Sequence, residues 1–169
     1  MKKKEKKFVI LLVCSGNACR SPMAEGLLKK KLYLLYRDKI KIHSAGTLGI
    51  SGSPATPFAI AVAKEKGVDI LAHRSKGVTA ALMREADIIF VMTEIHKNYL
   101  DQLFPDCQSR IVLLTNFALP ESEQKNMPIT DPIGESLTFY RQVINHINRE
   151  LERIVPDLKK QIDNKLLCS

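Results

Sequence analysis

Short apolar, β-branched runs alternate along the chain with longer segments in which apolar residues recur at helical spacing. FVILLVC, Phe8 to Cys14, is apolar without a break and reads as a strand buried on both faces. MAEGLLKKKLYLLY, Met23 to Tyr36, reads as the helix after it, with Ser21 as N-cap and Pro22 at the first helical position. KIKIHSAG is a second strand. ATPFAIAVAKEKG reads as a helix ended by Gly67, TAALMREA as a short helix, DIIFVMT as a third strand, HKNYLDQLF as a helix and RIVLL as a fourth strand. The segment from Ser136 to Lys160 reads as a long terminal helix, with Pro156 near its end as an interruption or kink.

This alternation predicts an α/β fold: one domain built on a four-stranded parallel sheet, doubly wound in the Rossmann-like manner, with helices on both faces. Ligands in such sheets bind beyond the carboxyl ends of the strands, and Cys14 stands at one of them. A length of 169 residues fits one domain with a sizeable core. The expected division is a basic, frayed N-terminus over 1–7, a folded domain over 8–163 and a C-terminal tail over 164–169. One long loop, from about Asn116 to Pro132, is polar and contains prolines, and long loops in compact domains are often functional.

Composition narrows the classes. At 45% hydrophobic and 26% charged residues the chain is not disordered. The formal charge of +8 raises the question of nucleic acid or an acidic membrane as partner. Much of the excess lies in MKKKEKK at the start and KKK at 29 to 31, with no aromatic-rich reading surface beside it. Attraction of anionic substrates is the expected consequence, with no nucleic-acid partner. The run Phe8 to Val13 is too short for a signal peptide or a membrane span, so a reducing, cytoplasmic location is expected. The cysteines at 14, 19, 107 and 168 lack the density of a disulfide scaffold. No histidine stands at a ligand spacing from Cys14 and Cys19, so no metal is expected.

The candidate chemistry lies in VCSGNACRSP, Val13 to Pro22. A strand ends in Cys14, a loop of small residues follows (Ser15, Gly16, Asn17, Ala18, Cys19), and a helix opens near Arg20. Gly16 permits positive φ at no steric cost and Asn17 tolerates it, so the loop can curl with its N–H groups pointing inward as an anion nest. The helix N-terminus adds unpaired N–H groups and the positive end of its dipole. Such surroundings favour the thiolate of Cys14, the species that attacks. Ser21 can donate its hydroxyl to the sulfur, and Arg20 has the planar fork that grips two phosphate oxygens. Taken singly, a cysteine at a strand end is an ordinary core residue and an arginine at a helix start an ordinary surface charge. Their combination across this loop points to an anion-binding catalytic site.

Cys14-x5-Arg20-Ser21-Pro22, followed by MAEGLL, resembles the signature of the low-molecular-weight protein tyrosine phosphatase family, and the likeness covers nearly the whole chain. Ser44-Ala45-Gly46-Thr47, Pro54-Ala55-Thr56-Pro57, His73-Arg74-Ser75, Ala86-Asp87 through Met92-Thr93, and Asp131-Pro132 match as well. The resemblance implies a phosphatase domain over 8–163 that acts on phosphorylated proteins without a cofactor and releases inorganic phosphate. It implies Cys14 as nucleophile, Arg20 as phosphate clamp, Asn17 and Ser21 as supports of loop and thiolate, and Asp131 as general acid, then as base toward water. An Asp-Pro pair by itself signals only a turn. Cys19 matches a second loop cysteine that can form a reversible disulfide with the nucleophile. His73 resembles a histidine that bonds under the loop, and Ser44 a partner of Asn17. A monomer is expected.

Departures fall where the substrate is chosen. Tyrosine-directed members generally place aromatic residues after the acid, whereas this chain reads Asp131-Pro132-Ile133-Gly134-Glu135-Ser136. The other rim, Leu48 to Ser53 with Ile50 between them, also lacks an aromatic. The tyrosine-directed branch tends to carry a bulky aliphatic at position 18 and the protein-arginine branch a threonine, so Ala18 decides nothing. The expected activity is hydrolysis of phosphotyrosine through a phosphocysteine intermediate. The alternatives are a protein-arginine phosphatase, an arsenate reductase on the same loop, and a phosphate-binding module without catalysis. Arsenate reduction needs a further cysteine pair, and Cys107 and Cys168 lie far apart in sequence.

Overall fold

Every residue of β1 (Phe8–Cys14) is buried, because β1 is a central strand with apolar layers on both sides. The computed structural model describes residues 7–168; the basic segment expected to fray lies outside them, apart from Lys7. Period-2 alternation sends Ile10, Leu12 and Cys14 to one face and Val9, Leu11 and Val13 to the other. The first face carries α1 (Arg20–Tyr36), α2 (Pro57–Glu65) and α5 (Leu137–Leu167); the second carries α3 (Ala80–Glu85) and α4 (Glu94–Leu103). The remaining strands are β2 (Ile40–Gly46), β3 (Ile88–Val91) and β4 (Ile111–Leu113), in the order β2-β1-β3-β4. All pairs are parallel, so the four-stranded, doubly wound sheet expected from the alternation is present.

That order places a reversal of direction at β1: the chain moves outward to β2, then returns across β1 to β3. A crevice opens at the carboxyl ends of such neighbours. Cys14 pairs with Gly46 at the end of β2, and Val13 with Val91 at the end of β3, so loops from three strands converge there. No helix among the described residues is long and apolar enough to cross a membrane.

Two helix boundaries differ from the sequence pattern. The residue capping α1 is Cys19, not Ser21, and no side chain caps that end. Ser21 therefore sits inside the first turn, where its hydroxyl is used by the site described below. The terminal helix does not break at Pro156; it continues to Leu167, through residues 164 to 167 that the pattern assigned to a tail. An internal proline costs roughly 3 kcal/mol. Beyond it Leu158 and Ile162 are fully buried, and burial of such a side chain returns roughly 1.5–3 kcal/mol each. Lys165, in the last turn, pairs with Asp87 at 2.6 Å and donates to the Lys7 carbonyl at 3.0 Å, tying the end of α5 to the start of β1.

The long loop after β4 is pinned as well. Arg153 on α5 donates to the carbonyls of Phe117, Leu114 and Thr115. The Thr115 hydroxyl donates to Met127 O at 2.6 Å, and Ile129 N donates to Met92 O at 2.8 Å. These bonds deliver Asp131 to the crevice.

Candidate active site

The loop from Cys14 to Cys19 turns its carbonyl groups outward. Cys14 O accepts from Thr47 N at 2.9 Å, Ser15 O from Leu48 N at 3.0 Å and Ala18 O from Thr56 N at 3.0 Å. Asn17 O accepts from His73 Nε2 at 2.7 Å, which fixes that nitrogen as the protonated one. With the carbonyls held outside, the N–H groups face the interior of the curl, and the uncapped start of α1 points the same way. The residue in the left-handed region is Asn17, at φ 53. Gly16, the other candidate for positive φ, does not have it, and a Cβ there would meet only Ile50 Cδ1 at 3.9 Å.

Asn17 holds that strained turn through its side chain, which is fully buried. Its Oδ1 accepts from Lys76 N at 3.0 Å, so Nδ2 faces the other way and donates to Ser21 Oγ at 2.8 Å and Ser44 Oγ at 2.9 Å. Ser44 in turn donates to Glu25 Oε2. Ser21 thus receives a proton from Asn17 and keeps its own for Cys14 Sγ, 3.0 Å away. The sulfur faces a donor, as the sequence suggested, and the direction follows from counting protons along the chain of bonds.

Arg20 is 3% exposed, and both of its terminal nitrogens are engaged. Nη1 donates to Ile129 O at 3.1 Å, and Nη2 donates to Ser15 Oγ at 3.1 Å and Asp131 Oδ2 at 2.5 Å. Its Nε is buried and has no partner among the described residues. Buried donors are rarely left unpaired, so an orphan guanidinium N–H in a nest of N–H groups calls for an anion. Asp131 Oδ1 accepts from Ile133 N at 3.2 Å, which closes a turn and sets the carboxylate at the rim.

Cys19 lies behind the loop, bonded to Thr56 Oγ1 at 3.4 Å and Tyr140 Oη at 3.3 Å. Burial raises its thiol above the ordinary cysteine value although both bonds oppose the rise. Burial likewise carries the Tyr140 phenol up to about 12. Cys14 and Cys19 are both free thiols.

These groups line a cavity of about 380 Å³. Cys14, Ser15, Gly16, Ala18, Cys19 and Arg20 form its floor, Asp131 and Ile133 one wall, and Leu48 and Ile50 the other. Asn17, Ser21, Ser44 and His73 support the floor from beneath. Cys107 belongs to the core on the opposite face of the sheet, and Cys168 is exposed at the end of α5. The structure therefore gathers the residues singled out in the sequence and leaves the two distant cysteines apart.

Two contributors escaped the sequence reading. A Cβ on Gly46 would come within 2.5 Å of Ser15 O, 2.9 Å of Asn17 N and 3.0 Å of Gly16 C. Those are backbone atoms of the cradle, which cannot step aside without opening it. Gly46→Ala is expected to lower kcat/KM about 100-fold while leaving the far-ultraviolet dichroism unchanged, since a displacement near 1 Å costs about that much. The second contributor is His96, buried at the start of α4 with Nε2 2.8 Å from Ser15 Oγ. Thr93, its N-cap, was a readable signal for the helix start but not for what the ring touches.

Residues 9–164 match the family model described as low molecular weight phosphotyrosine protein phosphatase. The chain belongs to that family. It is 35% identical over 150 residues to "Probable low molecular weight protein-tyrosine-phosphatase EpsP" of Ralstonia nicotianae, covering 89% of this chain and 95% of that one. It is 31% identical over 153 residues to the protein-arginine-phosphatase of Bacillus subtilis, covering 89% and 97%. Among solved structures, the YwlE arginine phosphatase from Geobacillus stearothermophilus superposes with a TM-score of 0.81 at 31% identity, over 91% of this chain and 94% of that one.

Proposed function

We propose that this chain hydrolyses phosphotyrosine in proteins through a phosphocysteine intermediate on Cys14. The observation that carries the reading is the unpartnered Nε of buried Arg20, at the end of a loop whose carbonyls at Cys14, Ser15, Asn17 and Ala18 are bonded to groups outside it. A phosphate in the cradle takes the loop N–H groups and the Arg20 fork, and the Cys14 sulfur lies on the side opposite the leaving group. The thiolate attacks phosphorus as the bond to the phenol oxygen breaks, and Asp131 gives that oxygen a proton. Bound phosphate competes with Asp131 for Arg20, which frees the carboxyl to carry the proton. Water then attacks phosphorus, Asp131 takes the water's proton, the phosphorus–sulfur bond breaks, and inorganic phosphate leaves.

Asp131→Asn is expected to lower kcat about 100-fold or more on a phosphotyrosine peptide. The loss is smaller on p-nitrophenyl phosphate, whose leaving group scarcely needs a proton. Equal losses on both substrates contradict the acid role.

The walls suit a neutral ring: Leu48, Ile50, Ile133 and Pro54 are apolar, and Asp131 is the one carboxylate lining the cavity among the described residues. A phosphoarginine side chain would bring a guanidinium to that same carboxylate, already engaged by Arg20. It is the second reading, favoured by the arginine phosphatases among the relatives and by the missing aromatic wall. Initial rates of phosphate release from matched phosphotyrosine and phosphoarginine peptides decide between them. Faster release from the tyrosine peptide is expected, and the reverse order overturns the choice.

Cys19 takes a protective role in this reading: after a peroxide oxidises Cys14 to the sulfenic acid, the Cys19 sulfur attacks that sulfur, water leaves, and a Cys14–Cys19 disulfide forms. A cytoplasmic location and a monomeric state accompany this reading.

A further inference from the structure

We propose that His96 is a positioning residue for the phosphate clamp: its neutral ring accepts the Ser15 hydroxyl proton and, through that hydroxyl, holds the Arg20 guanidinium in register with the cradle. The inference rests on the reading of this loop as a phosphatase site.

The direction of each bond follows from Arg20, which can only donate. Its Nη2 donates to Ser15 Oγ at 3.1 Å. The Ser15 proton then lies toward His96 Nε2, 2.8 Å away. With Nε2 accepting, the ring proton is on Nδ1 and is donated to Thr93 Oγ1 at 3.0 Å. Thr93 Oγ1 also accepts from His96 N at 3.3 Å, as the N-cap of α4. Donors therefore run outward from the cation in one continuous chain, each bond polarising the next. The opposite tautomer would aim an N–H at an oxygen already drawn on by a guanidinium.

The ring is 4% exposed. The charged groups acting on it are Arg20 from α1 and Asp131 from the long loop; Ser15 and Thr93 supply uncharged contacts. Burial first, and Arg20 second, lower its pKa to about 4, against a smaller opposite pull from Asp131. The ring is thus neutral through the ordinary range and gains a proton only as pH falls toward that value. A protonated ring has no lone pair for Ser15 and sets a second positive charge toward Arg20.

The test compares wild type, His96→Ala, His96→Gln, Ser15→Ala and the double variant Ser15→Ala with His96→Ala, using p-nitrophenyl phosphate for rates and calorimetric titration with inorganic phosphate for anion affinity. Glutamine can present a carbonyl oxygen to Ser15 but does not titrate. His96→Ala and Ser15→Ala are each expected to lower kcat/KM about 10- to 100-fold, and the double variant to fall no further than the worse single one. His96→Gln is expected to recover most of that loss. Its rate relative to wild type stays constant from about pH 8 to about pH 6 and rises as pH falls toward about 4, a comparison in which substrate ionisation cancels. If His96→Ala does not fold, Ser15→Ala and His96→Gln carry the comparison. Glutamine no better than alanine, a flat pH ratio, or additive losses in the double variant overturn the proposal. Should wild type release no phosphate, the phosphatase reading fails by itself and the titration decides on positioning alone. Phosphate affinity weakened about tenfold by alanine and kept by glutamine then supports the proposal; equal affinities, or no binding by wild type, overturn it.

Discussion

Cys14→Ser is expected to lose phosphatase activity by about 10⁴-fold or more in kcat while keeping the fold and the affinity for inorganic phosphate. The size of the loss follows from what the cradle can and cannot do. Its N–H groups and the α1 terminus draw in the phosphate, and the Ser21 hydroxyl lies 3.0 Å from the sulfur. Sulfur is intrinsically a far better nucleophile and leaving group than a serine oxygen, so the variant has no comparable attacking atom. Among the described residues the side-chain hydrogen-bond partner of Cys14 is Ser21, itself bound to Asn17, so no general base contacts the serine oxygen of the variant. Binding is a separate matter, because it rests on backbone groups and Arg20, which the substitution leaves in place. The check is a pair of measurements on one preparation, the steady-state rate on p-nitrophenyl phosphate and competitive inhibition or calorimetry with inorganic phosphate. A serine variant that loses phosphate affinity along with its rate points to a collapsed loop instead.

Arg20→Lys is expected to lower kcat about 10³-fold, although charge is conserved. Arginine satisfies three sites at once, the Ile129 carbonyl, Ser15 Oγ and Asp131 Oδ2, and still keeps a buried Nε without a partner among the described residues. Lysine has one nitrogen and three protons on a flexible stem. If it reaches the phosphate, it leaves the Ile129 carbonyl unpaired; if it stays on that carbonyl, the phosphate loses its clamp. The planar fork matters most as the transferring phosphoryl group spreads its equatorial oxygens, so the loss falls on kcat more than on KM. Measured kcat and KM on the same substrate check this. A loss confined to KM contradicts the role.

How much of this was legible in the chain differs from element to element. The uninterrupted apolar run of β1 announces a central parallel strand, and the small residues between Cys14 and Arg20 announce a loop shaped for its backbone. Both are local properties. The cap of α1 was misplaced because Ser21 looks like an N-cap by residue type, yet a helix that offers its N-terminus to an anion leaves that end uncapped and uses the serine for the sulfur. Pro156 reads as a stop by local rule, and long-range packing of Leu158 and Ile162 overrides it. Gly16 and Asn17 both read as able to take the left-handed turn. Asn17 alone takes it because its side chain is locked by Lys76, Ser21 and Ser44, two of which the fold brings from other segments. Gly46 and His96 were unreadable for the same reason: what makes them matter is the backbone of one loop and the hydroxyl of Ser15, which only the sheet order sets beside them.

The central claim is that phosphate passes through the Cys14 sulfur. Rapid mixing with a phosphotyrosine peptide, an acid quench within one turnover and mass spectrometry of the digested protein test it most directly. The expected result is a transient phosphate adduct on the peptide containing Cys14, formed at least as fast as phosphate is released and decaying with it. Release of phosphate at the full rate with no adduct, or with the adduct on another residue, contradicts the account.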